Sequence, residues 1–94
     1  MYKIEYMPLA IKDFLEIEEY LNAFSQTAAD KFTEALKKQT DILTEHPFIY
    51  PVYERDSFFR RMVLGDYLLF YSVDDKRKLA IMHRIFHHSR NQAI

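Results

Sequence analysis

The first residues of the chain alternate between apolar and charged side chains. The segment YKIEY places Tyr2, Ile4 and Tyr6 on one side and two charged residues on the other. This period of two is typical of a strand with one buried face. Pro8 follows, and the first turn of a helix tolerates proline. We therefore predict a short strand that leads directly into a helix.

Two amphipathic segments follow the strand. After Pro8 an apolar residue recurs every three or four positions, which gives one stripe on a helix: Ala10, Phe14, Ile17, Leu21 and Phe24. Ser25 or Thr27 can cap a second helix, which runs to about Glu45 because Pro47 cannot continue it. Its predicted inward residues are Ala28, Phe32, Ala35, Leu36 and Leu43. Since the connection is so short, the two helices are predicted to form an antiparallel hairpin.

Aromatic and β-branched residues dominate the second half of the chain. After the irregular stretch PFIYPVYERDS come three strand-like segments, FFRRMV, YLLFYSV and LAIMHRIF. Gly65–Asp66 and the stretch DDKRK separate them, which predicts an antiparallel meander. The segment Tyr67–Val73 is apolar on both faces and is therefore predicted to be central. We predict one α+β domain over residues 1–94, in the order β-α-α-β-β-β, with an antiparallel sheet and the helical hairpin on one face.

Composition narrows the class of protein. The 94 residues are 49% hydrophobic and contain no cysteine, so disulfides and zinc–thiolate sites are excluded. No stretch approaches the roughly 20 apolar residues that span a bilayer, and we expect a soluble cytoplasmic protein.

Charge is distributed unevenly along the chain. The formal net charge is −1, yet residues 1–47 carry five lysines against nine acidic residues, and residues 48–94 carry eight basic against five acidic residues. Every arginine lies in the second half. These charges are either solvated or form an anion-binding surface, to which arginine is well suited.

The residues that could take part in catalysis or anion binding are concentrated near the end of the chain. Alternation on the last strand predicts Met82, Arg84 and Phe86 on one face and Ile81, His83 and Ile85 on the other. If Ile81 and Ile85 face the hairpin, Arg84 lies on the open face. Either Arg60 or Arg61 joins it there, because neighbouring strand residues point apart. His87 and His88 follow where the strand ends, beside Arg90.

These residue types are compatible with RNA cleavage. The reaction needs a base, an acid and cationic donors for the phosphorane, and histidine and arginine can supply them. Tyr67, Tyr71 or Phe86 could stack on an unpaired base. The same cluster also describes a phosphate-binding or protein-binding surface, with His83 semi-buried and His87 and His88 solvated. We expect no metal site, because no acidic cluster completes a ligand set, and no cofactor.

The order and spacing of several motifs resemble the RelE/ParE superfamily of bacterial toxins. The motifs are YKIEYMPLAIKDFLEIEEYL, the second helix, HPFIYP, RRMVLGDYLLFYSVDD and IMHRIFHHSRN. The resemblance implies a toxin of a type II toxin–antitoxin module with two helices on one face of a compact sheet. It also implies an antitoxin partner that wraps an acidic, otherwise disordered segment over the toxin.

The resemblance leaves two mechanisms open. A RelE-like toxin cleaves messenger RNA on the ribosome. The resemblance implies that Arg61 (or Arg60) and Arg84 match its phosphate-stabilising arginines and that His87 or His88 falls near its terminal acid–base position. A ParE-like toxin poisons DNA gyrase and is not a nuclease. The helix pair and the HHSRN close look nearer to the ParE-like branch, which we favour. A third interpretation is a toxin-like fold that serves only as an interaction module.

Overall fold

The computed structural model describes residues 1–89. One strand and two helices precede four further strands. The elements are β1 (Lys3–Tyr6), α1 (Pro8–Phe24), α2 (Gln26–Glu45), β2 (Val52–Tyr53), β3 (Asp56–Leu64), β4 (Tyr67–Asp74) and β5 (Leu79–His87). The predicted α+β fold is confirmed, with one further strand, β2, inside the stretch predicted to be irregular.

The five strands form a single sheet in the order β1-β5-β4-β3-β2. The pairs β3–β4 and β4–β5 are antiparallel, so the predicted meander is correct, and β4 is central. In contrast, β1 pairs in parallel with β5, from Lys3 opposite Leu79 to Tyr6 opposite Met82. The sheet is therefore mixed rather than antiparallel throughout. A parallel pair requires a long crossover, which the helices and the meander supply here.

Ser25 separates the two helices. Its backbone N–H donates to the carbonyl of Leu21 (3.0 Å) and ends α1. Its Oγ accepts a hydrogen bond from the N–H of Ala28 (3.1 Å) and caps α2. Of the two residues proposed as the cap, Ser25 is therefore the one used. The second helix ends at Glu45, two residues before Pro47.

The core lies between the helical hairpin and one face of the sheet. Its buried members include Ala10, Phe32, Leu36, Leu43, Met62, Leu69, Tyr71, Met82 and Ile85. Two residues that were predicted to face inward do not: Phe24 is 72% exposed, and Ala35 is also exposed. Phe24 is the last residue of α1 and contacts only the ring of Tyr20 among the described aromatic side chains.

A β-bulge changes which residues of β5 share a face. Phe70 pairs with Arg84 whereas Tyr71 pairs with Met82, so His83 is an extra residue in β5. Met82 and Ile85 therefore both reach the core, which strict alternation did not predict. Of the three residues predicted to face the hairpin, Ile85 does so, whereas Ile81 and His83 do not. The side chain of Arg84 leaves the sheet on the face opposite the hairpin, which we call the open face.

Candidate functional site

Arg84 is bound by a carboxylate of α1. Its Nε and Nη2 donate to Asp13 Oδ2 (2.8 Å) and Oδ1 (3.1 Å), and this pairing raises the pKa of Arg84. The backbone N–H of Ile85 donates to the same Oδ2 (2.9 Å). The guanidinium carbon lies 4.5 Å from the ring centroid of Phe86. Arg84 is therefore a charge-compensated residue that covers an aromatic ring.

Asp13 lies at this position because β1 is short. The strand β1 pairs with Leu79–Met82 only, and α1 passes the part of β5 that follows. Asp13 then accepts the hydrogen bond that a neighbouring strand would otherwise take from Ile85. Asp13 is not among the predicted site residues, although the sequence carries a signal for it. Asp13 falls within the apolar stripe of α1, three residues after Ala10, where a carboxylate must find a partner.

The two neighbouring arginines of β3 point to opposite faces, as alternation predicts. Arg60 lies on the hairpin side and donates from Nη1 to the carbonyls of Phe48 (3.2 Å) and Tyr50 (2.6 Å). Arg61 pairs with Phe70 on the open face and is exposed. No hydrogen bond or ion pair of the Arg61 side chain occurs within residues 1–89. Phe70 lies between Arg61 and Arg84 in the register of the sheet.

The three aromatic residues proposed to stack on a base are buried. Tyr71 is 0% exposed and donates its hydroxyl to the carbonyl of Pro47 (2.8 Å). Tyr67 packs against the ring of Phe32 at 5.0 Å on the core side. Phe86 is on the open face, but it lies beneath Arg84 and beside Phe70. The three rings are therefore covered and do not form an exposed stacking surface: Tyr67 and Tyr71 lie in the core, and Arg84 and Phe70 pack against Phe86.

Burial of Tyr71 predicts a loss of stability at high pH. Burial raises the pKa of its phenol from 10.0 to about 12. Above pH 10 the unfolded chain loses this proton while the folded chain keeps it, so the free energy of unfolding falls between pH 10 and 12. We expect Tyr71 to contribute about 2–3 kcal/mol to this fall. Urea unfolding across this range should show a shallower fall for Tyr71→Phe. Equal falls in the two proteins would contradict the prediction.

The terminal histidines do not lie together with Arg61. His87 contacts the ring of Tyr67 (5.2 Å), and its Nδ1 accepts a hydrogen bond from the N–H of Ser89 (3.1 Å). His88 is exposed, and its N–H donates to the carbonyl of Asp66. Arg90 lies outside the described residues. His87 is therefore on the hairpin side of β5, across the sheet from Arg61.

His83 is the extra residue of the bulge and lies on the open face. Its Nε2 is 2.8 Å from Ser72 Oγ, and the rings of Phe58 and Phe59 pack against it. Burial lowers the pKa of His83, which disfavours the protonated imidazole. This is the semi-buried histidine with a satisfied hydrogen bond that the sequence indicated.

A polar cleft of about 370 Å³ runs between α1 and the end of β5. Acidic, aromatic, guanidinium and imidazole groups line it: Asp13, Glu16, Tyr20, Tyr67, Arg84 and His87. A second, mostly apolar groove of about 330 Å³ lies between α1 and α2 near Tyr6. Within residues 1–89, no three histidine or acidic side chains come together in a way that could hold a metal ion.

Solved structures of known proteins share this fold. The chain resembles the isolated E. coli RelE toxin at 18% identity and a TM-score of 0.70, covering 98% of this chain and 89% of that one. A chain of the chromosomal ParDE system of P. aeruginosa matches at 16% identity and a TM-score of 0.74, with 93% and 96% covered. A chain of the E. coli DinJ–YafQ complex matches at 19% identity and a TM-score of 0.67, and the match covers 99% of this chain and 100% of that one. No curated protein matches the sequence.

The fold and its order of elements match those of the RelE/ParE-like structures. A family model described as the ParE toxin of the type II toxin–antitoxin system parDE matches residues 4–92. The chain therefore belongs to the ParE toxin family, and it is the toxin component of a type II toxin–antitoxin system. In the described part of the chain, neither helix is long and apolar enough to cross a membrane.

Proposed function

We propose that this toxin stops bacterial growth as a ParE-like poison that binds DNA gyrase, and that it does not cleave RNA. The family match supports the ParE-like branch. The binding surface in this proposal is the open face, with Arg61 as its exposed cation. An antitoxin neutralises the toxin by covering part of its surface. Two of the similar solved structures, the ParDE system and the DinJ–YafQ complex, are a toxin–antitoxin system and complex, which supports such a partner.

The observation that carries the proposal is the separation of the groups that RNA cleavage would need. Arg61 lies on the open face, whereas His87 contacts Tyr67 on the hairpin side. Arg84 already donates two hydrogen bonds to Asp13. A phosphate held beside His87 in the cleft would be separated from Arg61 by the sheet, and it would have to compete with Asp13 for Arg84. A binding surface makes no such demand on geometry.

Two assays on the same protein test the proposal. Purified toxin added to gyrase, ATP and relaxed plasmid should prevent supercoiling, and with supercoiled plasmid it should leave cleaved DNA after protein removal. Primer extension on messenger RNA from induced cells should show no new 5′ ends, because the toxin does not cut RNA.

The opposite pair of results would overturn the proposal. New 5′ ends in messenger RNA, with gyrase unaffected, would establish the RelE-like alternative. Unimpaired growth after expression without an antitoxin, with both assays negative, would favour the third interpretation, a toxin-like fold that serves as an interaction module.

A further inference from the structure

A pair of aromatic side chains lies near the start of β3, away from the helical hairpin and the polar cleft. The rings of Phe58 and Phe59 pack edge to face, with their centroids 4.9 Å apart. Phe59 is half-buried, whereas Phe58 is 63% exposed. The pair therefore presents one complete ring to the solvent.

The bulge of β5 holds this pair in place. The extra residue, His83, contacts both rings, at centroid distances of 5.9 Å from Phe58 and 5.1 Å from Phe59. Its Nε2 lies 2.8 Å from Ser72 Oγ, so the imidazole is itself fixed by a hydrogen bond. The backbone N–H of Phe58 donates to Asp56 Oδ1 (3.0 Å). Phe58 is therefore exposed yet held at its ring and its backbone, which reduces the entropy that a partner loses by binding it.

The exposed cation of the open face belongs to the same strand. Phe59, Arg61 and Val63 alternate along β3 and share the open face, where successive side chains are roughly 7 Å apart. Arg61 is exposed, and so is Val63, to 59%. We call these three residues and Phe58 the β3 patch. Aromatic and arginine side chains that lie together in this way are typical of the residues that contribute most to protein–protein binding.

The charges around the β3 patch favour a protein partner over a nucleic acid. A phosphate backbone is bound by several cations in a row. Of the two strand arginines on the open face, Arg84 is neutralised by Asp13, and only Arg61 is without an ion pair within residues 1–89. The carboxylate of Asp56 lies beside the backbone of Phe58 and would repel a phosphate there. A protein that offers one carboxylate next to an apolar pocket fits these charges.

We propose that Phe58 is an aromatic anchor for gyrase, and that its ring enters an apolar pocket of that protein beside a carboxylate that binds Arg61. The inference deepens the proposed function and rests on it. Phe59 and His83 are positioning residues in this interface, because they hold the ring of Phe58. Val63 adds apolar area to the same surface.

Truncation of two exposed phenylalanines tests the anchor. Phe58→Ala should raise the toxin concentration that half-inhibits supercoiling by gyrase about tenfold. Phe58→Gln replaces the ring by a polar side chain and should have a similar effect. Phe24→Ala is the matched control, because it removes an exposed ring from the end of α1, and it should inhibit within about twofold of the wild type. Circular dichroism should show the same fold for all three variants.

Binding to gyrase in the absence of DNA tests whether the partner is the protein. Gyrase titrated into fluorescently labelled toxin, without plasmid, should give saturable binding that Phe58→Ala weakens about tenfold. Binding that appears only when DNA is added would place the contact on the nucleic acid and overturn the inference.

The outcomes separate the anchor from the proposed function. If the wild-type toxin inhibits gyrase and both Phe58 variants inhibit as well as Phe24→Ala, the anchor is wrong and the gyrase poison stands. If the wild-type toxin neither binds nor inhibits gyrase, the proposed function is wrong and the anchor fails with it.

Discussion

Replacing Asp13 by alanine is expected to lower the free energy of unfolding by about 3 kcal/mol. The carboxylate accepts hydrogen bonds from two nitrogens of Arg84 and from the N–H of Ile85. Alanine would remove all three and leave the Ile85 N–H without a partner at a buried position. For a domain of this size the loss corresponds to a fall in melting temperature of roughly 10–20 °C.

Urea unfolding followed by circular dichroism measures this effect. Glu19→Ala is the matched control, because it removes an exposed carboxylate from the same helix and should change stability by less than about 0.5 kcal/mol. Equal midpoints for the two variants would show that Asp13 does not fasten α1 to β5.

Reversing the charge of Arg61 is expected to raise the toxin concentration that inhibits gyrase by about thirtyfold. Arg61 is exposed on the open face, and its side chain has no hydrogen bond or ion pair in residues 1–89. An arginine without an internal role is free to anchor a partner, and such anchors commonly contribute 2 kcal/mol or more, which is about thirtyfold in affinity. Since the side chain is exposed, Arg61→Glu should fold normally.

Arg77→Glu provides the control for this experiment. Arg77 lies in the turn between β4 and β5, and its side chain is 69% exposed. The substitution makes the same change in net charge at a distance from Arg61, and inhibition should change by less than about threefold. Similar inhibition by wild type and Arg61→Glu would remove the open face from the proposed interface.

Periodicity predicted the elements of this fold well, because each helix and strand was long enough to show its own repeat. The stripe from Ala10 to Leu21 and the apolar run from Tyr67 to Val73 both appear in the structure as expected. The partner of β1 could not be predicted in the same way. Pairing at a sheet edge is decided by where the crossover returns the chain, and no local pattern records this.

The site was harder to predict because it depends on one extra residue. Because of the bulge at His83, Met82 and Ile85 both face the hairpin while Ile81 and His83 do not, and a period of two carries no indication of such a shift. The burial of the individual aromatic residues of β4 could not be predicted for a related reason. A strand that is apolar on both faces does not reveal which of its rings is covered, and here Tyr71 is fully buried.

The pairing of β1 with β5 joins the beginning of the chain to its last described strand, with Lys3 opposite Leu79. During synthesis β1 cannot pair until β5 has left the ribosome, and contacts this distant in sequence form slowly. The meander can assemble only when its own final strand emerges. The sheet can therefore gain its parallel edge pair only after β5 has been synthesised.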